Sequence, residues 1–442
     1  MTMLPRYLQA WLGEPWLALS RQLTFHALSW RLRPRAVRPA YEARAGSMLY
    51  VAASSRPYHV SGYTSRTQEV IRAFVDAGAD VHALTRPGYP WDRRDRHLDA
   101  EGLETTVDDV RYQHVRHPSN NRPVLQYAMQ AARVVADVAV RQRAALIHAA
   151  SNHVNALPAL LAARRLGIPF QYEMRGLWEL TRISRTPHYE DGQAYKQGLQ
   201  LEGLVARNAD RVCVISRQLG QYAQDMWGVI PQRMALLPNC VDTDRIRPES
   251  GQDADTALVG YAGTLIGYEG LDTLVEAIGL LARQGHPVKA LLIGDGEARA
   301  SLQEQVGRLG LEARIQFAGR MTPEAARSAL ARCSLVCMPR KPFKVCEIVP
   351  PLKLVEALAV GKPVIVPDLP VFRDELGEHP AGWFFRAGDS ADLARVVSAA
   401  LRDRGALSIL GQRARAHAVA HRQWRDFVIK VLPGTLGAGA VC

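Results

Sequence analysis

An acid, a lysine and a second acid stand at Glu347, Lys353 and Glu356, within the stretch 345–368, VCEIVPPLKLVEALAVGKPVIVPD. Pro350 and Pro351 suit a helix start, where a missing N–H costs little. A helix over 351–360, turning about 100° per residue, sets Lys353 and Glu356 about 60° apart. Leu352, Leu354, Val355, Leu358 and Ala359 fill most of the opposite arc. Gly361 ends the helix, and PVIVP supplies a short apolar run fit for an inner parallel strand. Glu347 is expected in the loop before the helix. A cation at a helix N-terminus suits an anion such as a diphosphate, and flanking carboxylates accept hydrogen bonds from sugar and ribose hydroxyls. A surface ion pair on an ordinary βα unit would show the same K-x-x-E, so the order of the surrounding elements has to decide.

Those elements alternate. SMLYVAASS reads as a first strand, RPYHVSGYTSR as a loop and 67–77 as a helix. DVHALTR, ALIHAAS, PFQYEMR, RVCVIS and MALLPN are further short apolar runs separated by helical or loop material, the pattern of a parallel sheet covered on both faces. PESGQDADTA at 248–257 is polar and turn-rich, a linker. The pattern then restarts with TALVGYAG, a helix near 270–284, VKALLIGDG, RIQFAG and SLVCMP. The fold class is α/β, with two tandem Rossmann-like doubly wound domains facing across a cleft and ligands at the strand C-termini. The divisions are 1–45, 46–247, the linker 248–257, 258–420 and a helical, basic 421–442.

The 442 residues exceed one core and fit two domains of about 200 each. Lys and Arg number 55 against 43 acids, a formal charge of +12 that invites an anionic partner. Nucleic-acid recognition would need a basic motif interleaved with aromatics, and none stands out. Cys213, Cys240, Cys333, Cys337, Cys346 and Cys442 form no C-x-x-C pair, so buried thiols in a reducing cytoplasm are expected. No apolar run approaches a membrane span. Residues 1–45 mix Leu and Trp with Arg6, Arg21, Arg31, Arg33, Arg35 and Arg38 and are interrupted by Pro5 and Pro15. Short helices are expected there, either packed on the protein's own body or lying at a membrane surface.

The order of these pieces resembles a GT-B glycosyltransferase of family 4 over about residues 46–420. LPNCVD, YAGTLIGYEGLDTLVEAI, LLIGDGEA and GRMTPEAARSALARCSLVCMP precede the acid–helix motif in that family's order. HVSGYTSR, ALTRPGYP and YEMRGLWE further resemble a bacterial branch associated with exopolysaccharide assembly. The resemblance implies retaining transfer of a sugar from a nucleoside diphosphate, UDP being the expected carrier, to a saccharide or lipid-linked saccharide. It implies no bound metal and no cofactor. Glu347 would hold the transferred sugar and Glu356 the ribose. Lys353 and Arg340, with Lys341 in reserve, would neutralise the diphosphate, and Gly263, Thr264 and Gly294 would line the donor loops. Two departures stand out. Many members carry Glu-x7-Glu, whereas Glu347 lies nine positions before Glu356. The usual Arg and Lys of the second domain's first loop are absent, and Thr264 and Glu269 stand near those places.

The first domain is expected to hold the acceptor. Gly62 sits where a missing Cβ lets backbone approach a ligand, or serves a plain turn. His59 and His153 are expected to line the cleft, while His148 reads with them as a strand-end histidine. Arg175 is placed to contact phosphate or acceptor and is grouped with the catalytic residues, its alternative being a surface pair with Glu179. A non-catalytic nucleotide-sugar-binding or scaffold relative is the competing reading, supported by Thr264 and Glu269. A nicotinamide-dependent oxidoreductase would need G-x-G-x-x-G after the first strand, which is missing.

Overall fold

The computed structural model describes residues 19, 21–33, 41–93, 102–186, 188–248, 255–378 and 380–432. The chain divides into two compact units. One takes the residues up to Val214 with Gly220–Leu237 and Val428 onward; the other takes Ile215–Leu219 and Pro238–Phe427. Of the expected linker 248–257, residues 249–254 lie outside the described residues, and Asp255 already opens a strand.

In the first stretch of chain a helix over 21–31 (α1) is followed by β1 (Arg44–Ala52), α2 (Gly62–Asp76), β2 (Asp80–Thr85), β3 (Glu104–Val107), β4 (Val110–Gln113), α3 (Val124–Arg141) and β5 (Ala144–Ala150). Then come α4 (His153–Leu166), β6 (Phe170–Met174), α5 (Trp178–Ile183), α6 (Gln193–Asn208), β7 (Arg211–Val214), α7 (Arg217–Trp227) and β8 (Met234–Leu236). Their sheet runs β3-β4-β2-β1-β5-β6-β7-β8. All neighbours are parallel except β3 and β4. That hairpin was invisible as an apolar run. It forms because Asp108 and Asp109 both adopt positive φ, 45° and 67°, the backbone that a two-residue hairpin turn requires. The loop expected at 56–66 is also shorter than read. Ser61 caps α2, accepting from the Thr64 N–H at 3.5 Å while its own N–H donates to Thr64 Oγ1 at 3.1 Å, so the helix starts at Gly62.

The second unit continues with β9 (Asp255–Ala262), α8 (Leu271–Arg283), β10 (Lys289–Ile293), α9 (Arg299–Arg308), β11 (Ile315–Gly319), α10 (Pro323–Ala331), β12 (Cys333–Cys337), α11 (Lys344–Ile348) and α12 (Leu352–Ala359). It closes with β13 (Val364–Pro367), α13 (Pro370–Leu376), β14 (Gly382–Phe385), α14 (Ser390–Arg402), α15 (Arg404–His421) and α16 (Arg425–Val431). The sheet β11-β10-β9-β12-β13-β14 is parallel throughout. Leu354, Val355 and Leu358 of α12 are almost completely buried. At about 1.5–3 kcal/mol each, they outweigh any surface ion pair and fix which face of α12 carries Lys353 and Glu356. The last residues of α16 rejoin the first unit, where Gln171 Nε2 donates to the Val431 carbonyl at 2.7 Å. Cys213, Cys240, Cys333, Cys337 and Cys346 are buried and in no disulfide among the described residues.

A buried ionic network fastens the first sheet to α2. Glu173 on β6 accepts from Arg66 Nε at 3.0 Å and Arg175 Nη2 at 2.7 Å, and from the Tyr50 hydroxyl at 2.8 Å. Burial would raise the Glu173 pKa, but Arg175 and Arg66 hold it well below the carboxylate range. Glu173→Ala strands two buried guanidinium groups. It is expected to cost about 3–5 kcal/mol, read as a lower midpoint in urea denaturation.

Candidate active site

Among the parallel strands of each sheet the order reverses once, and in open α/β sheets that reversal is where ligands gather. In the second unit it falls between β9 and β12. The loop after β9 carries Gly263, Thr264 and Glu269, and the loop after β12 carries Arg340 and Lys341. Topology alone therefore brings most of the sequence-predicted donor residues to one edge.

At their centre lies Glu269. Its Oε2 accepts from Lys353 Nζ at 2.8 Å, and its Oε1 accepts from Arg340 Nη2 at 2.9 Å and Nε at 3.3 Å. Burial would push this carboxyl up, but Arg340 and Lys353 bring it down to about 2. Lys353 Nζ also donates to the Tyr261 hydroxyl at 2.7 Å and sits 4.2 Å from that ring's centroid. Burial lowers the Lys353 pKa, against the pull of Glu269. The ammonium has three N–H donors, of which Glu269 and Tyr261 take two.

Gly263 makes this approach possible. A Cβ there would stand 2.5 Å from Lys353 Nζ and 2.9 Å from its Cε. Gly294, at φ +135°, backs against Gly263, and a Cβ on it would overlap the Gly263 carbonyl oxygen. Both glycines serve close backbone packing under the lysine. The side chain of Thr264 is exposed, and its carbonyl accepts from the Tyr261 hydroxyl at 3.0 Å.

Three expectations need correction. Arg340 is buried, and besides Glu269 its Nη1 donates to the Val349 carbonyl at 2.8 Å. There it joins Glu269 to the link before α12. Lys341 is paired with Asp272 Oδ2 at 2.6 Å. Glu347 lies on a short helix, α11, and not in a loop; Lys344 Nζ pairs with it at 3.2 Å. The extra residue between Glu347 and Glu356 is absorbed by an extended link at Val349 and Pro351. Side chains clamp that link carbonyl by carbonyl. The Ser216 hydroxyl bonds Ile348 O, Arg340 bonds Val349 O, and Asn239 Nδ2 bonds Pro350 O at 3.0 Å. Glu356 is half-buried one turn after Lys353 on α12. Sequence reasoning missed Tyr261, Ser216 and Asn239 as site supports, and read Glu269 only as a lost cation.

In the first unit the strand order reverses between β1 and β5. A cavity of about 340 Å3 there is lined by Ser54 and His59 after β1, Asn152 after β5, Tyr63 on α2, Arg86 after β2 and Trp178 at the start of α5. Trp178 is 67% exposed. Arg86 is locked to Asp92 by two bonds of 2.6 and 2.7 Å. His59 lines this cavity, and Gly62 is the exposed first residue of α2, outside the positive-φ glycines. His153 and Arg175 do not line it. The His153 backbone N–H and ring Nδ1 bond Glu202 Oε1 at 2.7 and 3.2 Å; burial would lower its pKa, but Glu202 raises it. Arg175 is buried among Glu173, Tyr50, Thr67 and the Tyr63 carbonyl, not paired with Glu179 at the surface. His148 is likewise internal, between Gln171 and Glu173.

Because the folded pKa of Glu269 is depressed from 4.5 to about 2, its contribution is complete above about pH 4.5 and is lost as pH falls towards 2. The loss is at most about 3 kcal/mol. Urea denaturation across that window should show the wild type losing more stability than Glu269→Gln.

Residues 61–240 match the model of a Glycosyl transferase 4-like domain, and residues 242–417 that of Glycosyl transferases group 1. The D-inositol 3-phosphate glycosyltransferase of Nocardia farcinica is 26% identical over 49% of this chain and 50% of its own. The phosphatidyl-myo-inositol mannosyltransferase of Mycobacterium leprae is 32% identical over 42% and 49%. The chain thus spans about half the length of these two relatives. The 2-deoxystreptamine glucosyltransferase of Streptomyces kanamyceticus is 24% identical over 75% of this chain and 87% of its own. Among solved structures, the sucrose-phosphate synthase of Thermosynechococcus elongatus superposes with a TM-score of 0.70 at 17% identity, covering 87% of this chain and 97% of that one. Anabaena Alr3699/HepE in complex with UDP and glucose gives 0.65 at 18%, over 88% and 98%. With a 4-like domain followed by a group 1 domain, each a Rossmann-like α/β unit, the chain belongs to the GT-B glycosyltransferases of the group 1, GT4-like type.

Proposed function

We propose that the chain transfers a sugar, with retention and without a bound metal, from a nucleoside diphosphate to a hydroxyl of a saccharide or lipid-linked saccharide. The observation that carries this reading is the Lys353 ammonium. It is held at the start of α12 by Glu269 and Tyr261 with one N–H donor to spare. Pro351, the residue capping α12, offers no side-chain bond to the first turn, so the backbone N–H groups of Leu352 and Lys353, ahead of the Leu354 N–H that bonds Pro351 O, can join the ammonium in meeting a phosphate oxygen. As the C1–oxygen bond to the diphosphate breaks, negative charge grows on the leaving oxygen where these groups stabilise it. The acceptor hydroxyl bonds to C1 and gives its proton to the departing diphosphate oxygen. Glu356 is assigned to the ribose and Glu347 to the hydroxyls of the transferred sugar. Gly263, Gly294 and Thr264 shape the donor loops.

UDP as carrier is supported by the likeness to a structure holding UDP and glucose. Relatives named for phosphatidyl-myo-inositol, 2-deoxystreptamine and teichuronic acid biosynthesis support a polyhydroxylated or lipid-linked acceptor. The segments HVSGYTSR, ALTRPGYP and YEMRGLWE keep exopolysaccharide assembly as the proposed setting. The cavity of His59, Tyr63 and Trp178 is the proposed acceptor side, since an exposed indole offers a sugar ring an apolar face. Among the described residues no helix is long and apolar enough to cross a membrane. A cytoplasmic protein lying peripherally on the membrane is proposed. The non-catalytic alternative draws on Glu269 pairing with both cations. One carboxylate against two cations still leaves one positive charge for the donor.

UDP should raise the melting temperature more than GDP does. Glu347→Ala and Glu356→Ala should each cut turnover of UDP-sugar about a hundredfold or more with the fold intact; near-normal turnover in both would sink the assignment. Gly263→Ala, which displaces the lysine tip, should weaken UDP about tenfold by calorimetry. Unchanged affinity would remove Lys353 from the phosphate.

A further inference from the structure

Five arginines line one cavity of about 370 Å3 in the first unit: Arg31 and Arg33 at the end of α1, Arg133 on α3, and Arg164 and Arg165 in the last turn of α4. No carboxylate is among its lining residues. Arg164 is accounted for, since it pairs with Asp210 at 3.1 Å and donates to the Asn208 carbonyl. Arg164 and Arg165 also suit the negative end of α4. That explanation does not reach Arg133, Arg31 or Arg33. Among the described residues neither Arg133 nor Arg165 makes an ion pair, and Asp137, one turn along α3, pairs with neither. Apart from the Arg164–Asp210 pair, the cluster is a concavity of like charge with no carboxylate lining it; such a concavity concentrates anions from solution, and guanidinium forks fit phosphate oxygens.

A second observation points to where that phosphate comes from. Leu19, Leu23 and Trp30 are 47%, 62% and 63% exposed. On α1, at about 100° per residue, Leu23 and Trp30 fall within about 20° of each other, roughly opposite the fully buried Leu28. An outward apolar stripe with arginines at its end is the composition of a helix lying in a lipid interface. Stripe and cavity adjoin through Arg31, whose guanidinium lies 5.7 Å from the Trp30 ring centroid.

We propose that this face docks on an anionic phospholipid surface, with the arginine cavity seating a lipid phosphate and the α1 stripe entering the headgroup boundary. The inference rests on the peripheral-membrane part of the reading above. It adds Arg133 and Arg165, which lie far along the chain from residues 1–45.

The test uses the full chain and phosphatidylcholine vesicles made with and without phosphatidylglycerol. Wild type should co-sediment with the phosphatidylglycerol vesicles, and salt should weaken the binding. Arg133→Gln with Arg165→Gln, both at exposed positions, should bind about thirtyfold more weakly while keeping the wild-type thermal shift with UDP. Leu23→Ser with Trp30→Ser should lose binding separately. Unchanged vesicle binding in the double arginine variant overturns the seat even if membrane contact persists. Stabilisation by inorganic phosphate without sedimentation on either vesicle overturns the lipid source. Glu356→Ala should bind vesicles like wild type; wild-type protein that binds these vesicles yet transfers no sugar from a UDP-sugar would fault the catalytic reading alone.

Discussion

The second unit depends on one buried carboxylate. Glu269 joins the loop after β9 to the loop after β12 through Arg340 and to α12 through Lys353, so three segments distant in sequence meet on two oxygen atoms. Ion pairs of this kind seldom add stability over an apolar core, because desolvation consumes most of the Coulombic gain. What they supply is position. The lysine cannot swing to solvent without leaving a buried carboxylate uncompensated, so its ammonium stays at the start of α12.

Around that anchor the backbone is fixed by different means on each side. Beneath the lysine, Gly263 and Gly294 remove side chains so that two loops and an ammonium can share one space. Beside it, Ser216, Arg340 and Asn239 hold three successive carbonyls, setting the distance from Glu347 to the first turn of α12. An orientation fixed by packed Leu354, Val355 and Leu358 then needs no contribution from the polar face. That face is left to chemistry.

Much of this was legible in the residues. Strand–helix alternation revealed both doubly wound units, since inner parallel strands are short unbroken apolar runs. The Lys353–Glu356 face followed from helical periodicity. The β3–β4 hairpin was not legible, because it rests on two aspartates at positive φ and not on hydrophobic pattern. The surroundings of Arg175 and His153 were not legible for a related reason, whereas His148 is the hydrogen-bonded structural histidine that the sequence reading gives. A strand end next to a cavity and a strand end inside a polar network look alike in sequence, and only the fold brings Glu173 or Glu202 to them. Glu269 was seen as a missing cation, while its partnership with Lys353 spans 84 positions that no local pattern connects.

The path of the chain near its end carries a practical consequence. Residues from Val428 leave the second unit and return to the first, where Gln171 and Arg211 bond the carbonyls of Val431 and Lys430. The halves are therefore not beads on a string. A chimera exchanging one half with a relative must carry the terminal helix along with the segment ending at Leu237. A single splice would transplant a sheet whose buried glutamine has lost its acceptor.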